Sequence, residues 1–225
     1  MRTLSSIEDL NFAAAMPAPA VVQEASDMPA PVVVKKASDH VLLEETLAGD
    51  EDAFAELVSR YRNQITSYIY RMTNDYDGAV DLAQETFLRV YRAASRYQTT
   101  HAFSTYIYRI ATNLAISELR KRKRRRLVSL TGLLSGGEGE EVRDFDAPDE
   151  RPLPDANLVD TEQRRVVKKA ISTLPEKYRA PLVLRDVEGK SYDEIAAILQ
   201  TSEGTVKSRI SRARNFLRDK MRHYV

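Results

Sequence analysis

Cysteine and tryptophan are absent from this chain of 225 residues, and it contains only three histidines and eight glycines. Without cysteine the chain cannot form disulfides, thiolate metal sites or a cysteine nucleophile. The histidines, His40, His101 and His223, are widely separated, so no ligand spacing predicts a metal or catalytic site. The glycines of the segment SGGEGEE stand among carboxylates that would repel a phosphate. We therefore predict that the protein is not an enzyme and binds neither a cofactor nor a metal.

Long apolar runs are also missing. No stretch approaches the roughly 18 uninterrupted apolar residues of a transmembrane helix, so we predict no direct membrane insertion. The apolar stretch FAAAMPAPAVV follows two acidic residues and is broken by Pro17 and Pro19, unlike a signal peptide. We therefore expect a cytoplasmic protein. Residues 1–38 are rich in Ala, Pro and Val without helical periodicity, which predicts a disordered N-terminal tail.

Charge is nearly balanced overall but unevenly distributed along the chain. The formal net charge is +1, yet Arg120 to Arg126 reads RKRKRRR without interruption. Residues 135–160 carry nine acidic against two basic residues, a local net charge of −7. Residues 200–225 carry seven basic against two acidic residues, a local net charge of +5. This basic, acidic, basic pattern is typical of a chain with two anionic partners and a solvated spacer between them.

Helical periodicity dominates residues 39–126. Ser38 or Asp39 can cap a short helix, Asp50 a long one, Asp77 opens a third, and a fourth runs from about Ser104 into the basic run. Apolar residues recur three or four positions apart in these segments, so four helices with short links predict a compact bundle. The buried face of the long helix is predicted to comprise Phe54, Leu57, Val58, Tyr61, Ile65, Tyr68, Ile69 and Met72.

Residues 127–160 interrupt this pattern with glycines, prolines and acidic residues, which predicts a flexible linker. A second helical unit is predicted over residues 161–225, because apolar periodicity resumes near Thr161. Strand signals are nearly absent. The predicted fold class is therefore all-α, with a helical bundle and a helix-turn-helix module joined by a flexible acidic linker.

A helix-turn-helix is predicted near the C-terminus. Ser191 and Glu194 form a capping box, Gln200 and Thr201 turn the chain, and Ser202 caps a second helix. Long basic side chains and short hydroxyls on the outer face of that helix suit phosphates and base edges in the major groove of DNA. The candidate DNA-binding residues are Thr205, Lys207, Ser208, Arg209, Ser211 and Arg212.

Two further faces carry candidate sites. On the fourth helix an aromatic, an amide and basic residues share the face opposite the core, which suits stacking and hydrogen bonding of unpaired bases, or an ordinary solvated face. Its members are Tyr106, Arg109, Asn113, Ser117 and Arg120. On the third helix a row of carboxylates should face solvent or a basic protein partner. Its members are Asp77, Asp81 and Glu85, with Leu82 and Gln84 beside them.

Three motifs resemble, in order, those of the extracytoplasmic-function (ECF) class of bacterial RNA polymerase sigma factors. They are DLAQETFLRVYRAA (Asp81 to Ala94), YIYRIATNLAISELRK (Tyr106 to Lys121) and LRDVEGKSYDEIAAILQTSEGTVKSRISRAR (Leu184 to Arg214). The resemblance covers about Asp39 to Arg222.

This resemblance implies a division of labour along the chain. Residues 39–126 would be sigma domain 2, which binds core polymerase and melts and reads the minus-ten element. The motif Asp81 to Ala94 would dock on the clamp helices of the beta-prime subunit. Residues 161–225 would be sigma domain 4, which reads the minus-thirty-five element through the helix-turn-helix from Tyr192 to Ser211. The linker would thread through basic polymerase channels, and an anti-sigma factor is the further partner implied.

The sequence departs from the family pattern at two positions. Tyr106 stands where the family usually has Trp, and Gln200 stands where the turn usually has Gly. The alternative is a helix-turn-helix regulator that binds duplex DNA as a homodimer without polymerase. Such a regulator would need a dimer seam and usually a ligand pocket, and neither is visible in the sequence.

Overall fold

The first module consists of four helices. The computed structural model of the protein describes residues 37–97, 101–134 and 166–222. Within the first module, α1 spans Asp39–Leu47, α2 Glu51–Thr73, α3 Tyr76–Ala93 and α4 Phe103–Leu134, and a 3-10 turn, Ala94–Arg96, follows α3. The predicted tail before residue 37 lies outside the described residues.

The second module is helical as well. Helical residues 166–172, here α5, precede α6 (Glu176–Asp186), α7 (Tyr192–Leu199) and α8 (Glu203–Met221). The described parts of the chain contain no strand, which confirms the predicted all-α class. Residues 135–165, which include most of the predicted linker, lie outside the described residues.

Side-chain caps fix the helix starts. Ser38 accepts a hydrogen bond from the amide of Val41 at 3.4 Å, and Asp50 accepts one from Asp52 at 2.9 Å. The expected start of α3 at Asp77 is one residue late: the helix begins at Tyr76, and Asp75 is the N-cap, which accepts from the amide of Gly78 at 3.1 Å. A cap satisfies amides that have no partner within the helix, and its loss costs about 1 kcal/mol.

The core of the first module lies between α2, α3 and α4. Tyr68 on α2 and Tyr108 on α4 meet edge to face with their ring centroids 5.2 Å apart. The Tyr68 hydroxyl hydrogen-bonds the Thr112 hydroxyl at 2.8 Å, so the buried phenol keeps a polar partner. Of the predicted apolar face of α2, five residues are buried and three are partly buried. The buried residues are Leu57, Ile65, Tyr68, Ile69 and Met72.

The core of the second module lies between α6, α7 and α8, which contact one another. On α8 the buried residues include Val206, Ile210 and Ala213, which lie four and three positions apart on one face. On α7 the fully buried pair is Ile195 and Ile198, whereas Ala196 and Leu199 are only half-buried. Arg214 on α8 donates two hydrogen bonds to Asp186 on α6, of 2.6 and 3.1 Å, and so connects the two helices.

The fourth helix is longer than the sequence pattern indicates. It continues through Leu134, so residues 127–134, expected to belong to the linker, are helical. Four of these eight residues are leucines, which favour helix, and Gly132 lies within the helix without ending it. The two modules also contact each other directly, α4 against α7 and α2 against α6.

Candidate functional site

The helix-turn-helix forms at the predicted residues. Ser191 and Glu194 make the reciprocal capping box that begins α7. Gln200 closes α7 in the left-handed conformation, with φ 50° and ψ 52°. The amide of Thr201 then donates to the carbonyl of Ala196 at 3.0 Å, and Ser202 caps α8 by accepting from the amide of Thr205. The turn therefore keeps a left-handed geometry although glycine is absent.

The outer face of α8 presents most of the candidate DNA-binding residues. Lys207, Ser208, Ser211 and Arg212 are exposed, whereas Thr205 and Arg209 are half-buried. Two hydroxyls are already used within the helix. The hydroxyl of Ser208 donates to the carbonyl of Thr205 at 2.9 Å, and that of Thr205 hydrogen-bonds Ser202 at 2.9 Å. This leaves the basic side chains as the strongest candidates for contacts with DNA.

Two aromatic rings lie beside these basic groups. Lys207 Nζ lies 5.4 Å from the centroid of the Tyr192 ring, and the same ring is approached by Arg185 at 4.8 Å. A hydrogen bond from Arg212 lowers the pKa of the Tyr178 hydroxyl below its ordinary value. Cation–π contacts of this kind hold long basic side chains over one part of the surface. The recognition helix is thus flanked by ordered positive charge.

The candidate face of α4 gathers an aromatic cluster at its N-terminal end. Tyr106 packs 5.0 Å from Tyr97 and 6.4 Å from Phe103, measured between ring centroids. Arg109 lies 5.5 Å over the Tyr106 ring. Tyr106 and Arg109 are half-buried, while the other members are exposed; these are Asn113, Ser117 and Arg120. An aromatic platform followed by an exposed amide is an arrangement suited to unpaired bases.

The third candidate face runs along α3. Asp81 and Gln84 are exposed, and Leu82 is half-buried. Glu85 forms an ion pair with Arg89 one turn later, at 2.7 Å. Leu88 and Tyr91 continue the same stripe with side chains 41% and 50% exposed, and the sequence pattern did not single them out. Leu88 lies four positions after Gln84 and three after Glu85, and Tyr91 lies three after Leu88, so helical spacing was the signal that could have found them.

Sequence reasoning also missed a polar cluster where the modules meet. Glu188, just after α6, accepts hydrogen bonds from Arg71 on α2 at 3.0 Å and from Tyr108 on α4 at 2.6 Å. The Arg71 and Glu188 side chains are only 11% and 9% exposed. Glu188 meets residues 117 and 80 positions away in the sequence, and periodicity within one helix carries no signal for such contacts.

Neither a metal site nor a membrane span is found in the described parts of the chain. Among the residues that the structure describes, no group of three or more His, Asp or Glu side chains could hold a metal ion. Within those same ranges no helix is long and apolar enough to cross a membrane.

Comparison with known families assigns both modules. Residues 57–125 match Sigma-70 region 2, and residues 164–217 match Sigma-70 region 4. The structure is similar to that of CnrH solved with the cytosolic domain of CnrY, with a TM-score of 0.60 at 22% identity over 83% of this chain and 99% of that one. It is also similar to the sigma factor RpoE of Bartonella quintana, solved with the anti-sigma factor NepR. That TM-score is 0.55 at 25% identity, over 75% of this chain and 96% of that one.

Curated relatives extend this match over most of the chain. The ECF RNA polymerase sigma factor SigW of Bacillus subtilis is 37% identical over 180 residues, which cover 80% of this chain and 95% of the relative. The ECF RNA polymerase sigma-E factor of Escherichia coli K12 is 37% identical over 181 residues, 80% of this chain and 93% of the relative. The chain therefore belongs to the extracytoplasmic-function class of RNA polymerase sigma factors, which direct transcription initiation at promoters.

Proposed function

We propose that residues 39–126 bind core RNA polymerase and read and melt the minus-ten element, and that residues 161–225 read the minus-thirty-five element as a duplex. The observation that carries this proposal is that three surfaces of different chemistry lie on three different helices. Acidic and apolar side chains share α3, aromatic and amide groups share α4, and basic groups share α8. Each surface has the chemistry that one of these partners requires.

The α3 surface is the proposed docking site for the beta-prime clamp helices. Asp81, Gln84 and Glu85 supply hydrogen-bond acceptors and negative charge, and Leu82 lies at their margin. Leu88 and Tyr91 add exposed apolar area to the same stripe. Protein interfaces commonly combine a central apolar group with a polar rim, so this composition suits a protein better than it suits DNA.

The two proposed DNA-binding surfaces recognise different states of the DNA, α4 the unpaired bases and α8 the duplex. On α4 the Tyr106 ring can stack on an unpaired base, while Asn113 and Ser117 are exposed for hydrogen bonds to base edges. Arg109 and Arg120 place positive charge on the same face, where a single-stranded backbone would pass. On α8 the exposed Lys207 and Arg212 reach outward from a helix whose N-terminus follows the turn, the arrangement by which such helices enter a major groove.

We further propose an anti-sigma factor as a regulatory partner and the cytoplasm as the place of action. The sigma factor RpoE of Bartonella quintana was solved with the anti-sigma factor NepR, and it aligns over 75% of this chain. Family membership supports a regulator that carries out no catalysis of its own.

Run-off transcription tests the assignment directly. Core polymerase alone should give no specific transcript, whereas core polymerase with this chain should initiate at promoters selected from a library. A pull-down with core polymerase separates this function from that of a homodimeric helix-turn-helix regulator. If the chain shifts duplex DNA on its own and fails to co-purify with core polymerase, the regulator is the correct assignment.

A further inference from the structure

The basic run from Arg120 to Arg126 lies on the same continuous helix as the proposed minus-ten face. That helix, α4, extends from Phe103 through Leu134, so the run continues it without a break. After Glu118 no acidic residue occurs before the end of α4, and the run contributes seven positive charges in succession. Among the residues proposed above to contact DNA, only Arg120 belongs to this run, so the function of its other cations is not yet explained.

One arginine of the run faces inward and fixes the orientation of the others. Arg122 donates hydrogen bonds to Asp75, the N-cap of α3, and to Glu118 at 3.1 Å. Its side chain is only 21% exposed. Because an α-helix turns about 100° per residue, the cations on either side of Arg122 point away from α3. The face opposite Arg122 carries Arg120 and Arg124, with Lys121 and Lys123 at its edges, and all four are exposed.

Arg124 extends the proposed minus-ten face along the helix axis. The row on this face comprises Asn113, Ser117, Arg120 and Arg124, at spacings of four, three and four residues. Residues at such spacings lie one above the other on one side of a helix. With a rise of about 1.5 Å per residue, Arg124 lies about 16 Å beyond Asn113. A surface that begins at the aromatic cluster therefore continues into the basic run.

The chemistry of this row changes along its length. The aromatic rings lie at its N-terminal end, and α4 contains no aromatic residue after Tyr108. Unpaired bases are bound largely by stacking on rings, whereas backbone phosphates are bound by cations and require no ring. Duplex DNA carries one negative charge per roughly 1.7 Å of its axis, so a row of exposed cations finds several phosphates within reach. The basic run therefore suits duplex DNA better than single-stranded DNA.

We propose that Lys121, Lys123 and Arg124 bind backbone phosphates of the duplex that adjoins the minus-ten element on its upstream side. α4 then spans the junction between melted and paired DNA. The upstream side follows from the order of the chain, because the C-terminal end of α4 leads to the module that is assigned to the upstream element. Phosphate contacts fix the register of a protein on DNA and do not read its sequence. The inference rests on the proposed assignment of α4 to the minus-ten element.

The natural absence of cysteine allows this end of α4 to be mapped on the DNA. Val128 is 73% exposed and lies one turn beyond Arg124, so Val128→Cys introduces a single attachment site and retains every cation. An iron chelate on that cysteine, in the full-length chain bound to core polymerase, should cleave the first turn of duplex upstream of the minus-ten element. Asn63→Cys, exposed on α2, is the matched control and should not cleave there. Cleavage confined to the melted or downstream DNA, or no cleavage, overturns the proposal.

The triple variant Lys121→Gln, Lys123→Gln, Arg124→Gln should reduce the salt dependence of promoter binding. Glutamine is a good helix former, so the variant keeps the helix and removes only charge. Each phosphate contact contributes about 0.9 to the slope of log affinity against log salt, so the slope should fall by about two to three. Arg124→Gln alone should lower it by about one. Arg62→Gln removes an exposed arginine from α2 and should leave the slope unchanged.

Uncharged methylphosphonate linkages locate the phosphates concerned. Placed in the first turn of duplex upstream of the minus-ten element, they should weaken binding of the wild-type chain and abolish its advantage over the triple variant. Placed in the duplex downstream of the melted region, they should preserve that advantage. An advantage of the same size on both DNAs would show that the cations act elsewhere, and the proposal would then be wrong.

Run-off transcription by the wild-type chain reports the proposed function separately. If transcripts form but the triple variant keeps the wild-type salt slope, this inference fails and the proposed function stands. If the wild-type chain directs no transcription, the proposed function fails and the inference fails with it. If the triple variant loses affinity for core polymerase and keeps the wild-type salt slope, the basic run binds protein rather than DNA. Circular dichroism of each variant establishes that the helical content is retained.

Discussion

Lys207 and Glu203, one turn apart on the recognition helix, form an ion pair with 3.2 Å between Nζ and Oε2. Both side chains are about half exposed, so the pair itself contributes little to stability. Its consequence concerns DNA binding. A DNA phosphate that binds Lys207 must compete with the Glu203 carboxylate on the same helix. Replacing the lysine leaves that carboxylate without its ion-pair partner and facing the DNA.

We expect Lys207→Ala to weaken binding at the upstream element more than the loss of one contact alone would. The double variant Lys207→Ala, Glu203→Gln should recover part of the loss, because it also removes the carboxylate that repels DNA. If Lys207 contacts a phosphate, the slope of log affinity against log salt should fall by about one in the single variant. Duplex binding titrated at several salt concentrations measures both quantities.

Arg212→Ala serves as the comparison for Lys207. If Arg212 contacts a base edge, its replacement should reduce discrimination at one base-pair position by about 1–3 kcal/mol, rather than weaken binding to all sequences alike. Melting of the downstream element should be unaffected by either substitution. Wild-type affinity for both variants across a promoter library would contradict the assigned recognition face.

Tyr106→Ala and Asn113→Ala should impair formation of the open complex more than initial duplex binding. Tyr106 packs against Tyr97, and loss of a base stack on such a platform costs roughly 1–3 kcal/mol. Permanganate footprinting of the minus-ten region measures melting, and a pre-melted bubble template should restore much of the activity. If the bubble gives no rescue of either variant, melting is not the main role of this face.

The double variant Asp81→Lys, Glu85→Lys should fold normally and lose binding to core polymerase. Both residues lie on the solvent side of α3. Replacing Glu85 by lysine removes its exposed ion pair with Arg89 and introduces a repulsion with that arginine, which costs about a few tenths of a kcal/mol. Glu44→Lys, Glu45→Lys is the matched control, because these exposed carboxylates lie on α1 away from the stripe. Equal affinity of the two double variants in a fluorescence titration would contradict the docking assignment.

Local signals account for what could be predicted from the sequence. Caps such as Ser191 and Ser202, and apolar residues at spacings of three and four, depend on neighbours within one turn. Amphipathic periodicity therefore predicted the all-α class and the apolar face of α2. The full length of α4 was not predicted because composition alone marked its end, whereas the helix continues past Gly132 to Leu134.

Contacts between distant residues could not be predicted in this way. Glu188 meets Tyr108 across 80 positions of sequence, and no local pattern distinguishes it from a solvated carboxylate. Arg179 is another case: it is buried and donates to carbonyls of Ser172, Leu174 and, in the other module, Met72. A flexible acidic linker predicts independent modules, whereas these side chains join them.

Asp75 should stabilise the first module in a manner that depends on pH. Burial acts to raise the pKa of this carboxyl, but the ion pair with Arg122 and the amide of Gly78 together hold it below its ordinary value. A lowered pKa means that the stabilisation is present above the unfolded value of about 3.9 and is lost as the pH falls below it. Asp75→Asn keeps an equally good cap and removes only the charge. Urea denaturation should therefore separate the two proteins at pH 7 and bring them together in acid, and a constant difference would contradict the mechanism.

Gln200→Gly should stabilise the second module. Gln200 is one of only two non-glycine residues with positive φ in the described ranges, and left-handed backbone costs a residue with a side chain roughly 1–2 kcal/mol. Glycine adopts this conformation without that cost, although its freer unfolded chain offsets part of the gain. We expect a net stabilisation between a few tenths and about 1 kcal/mol in thermal denaturation of the full chain. Affinity for the upstream element should not change, because the side chain of Gln200 lies before the recognition helix. Gln200→Ala separates the two contributions, since it keeps the strain and removes only the longer side chain. If Gln200→Gly lowered the midpoint temperature, contacts of the Gln200 side chain would have to outweigh the backbone strain.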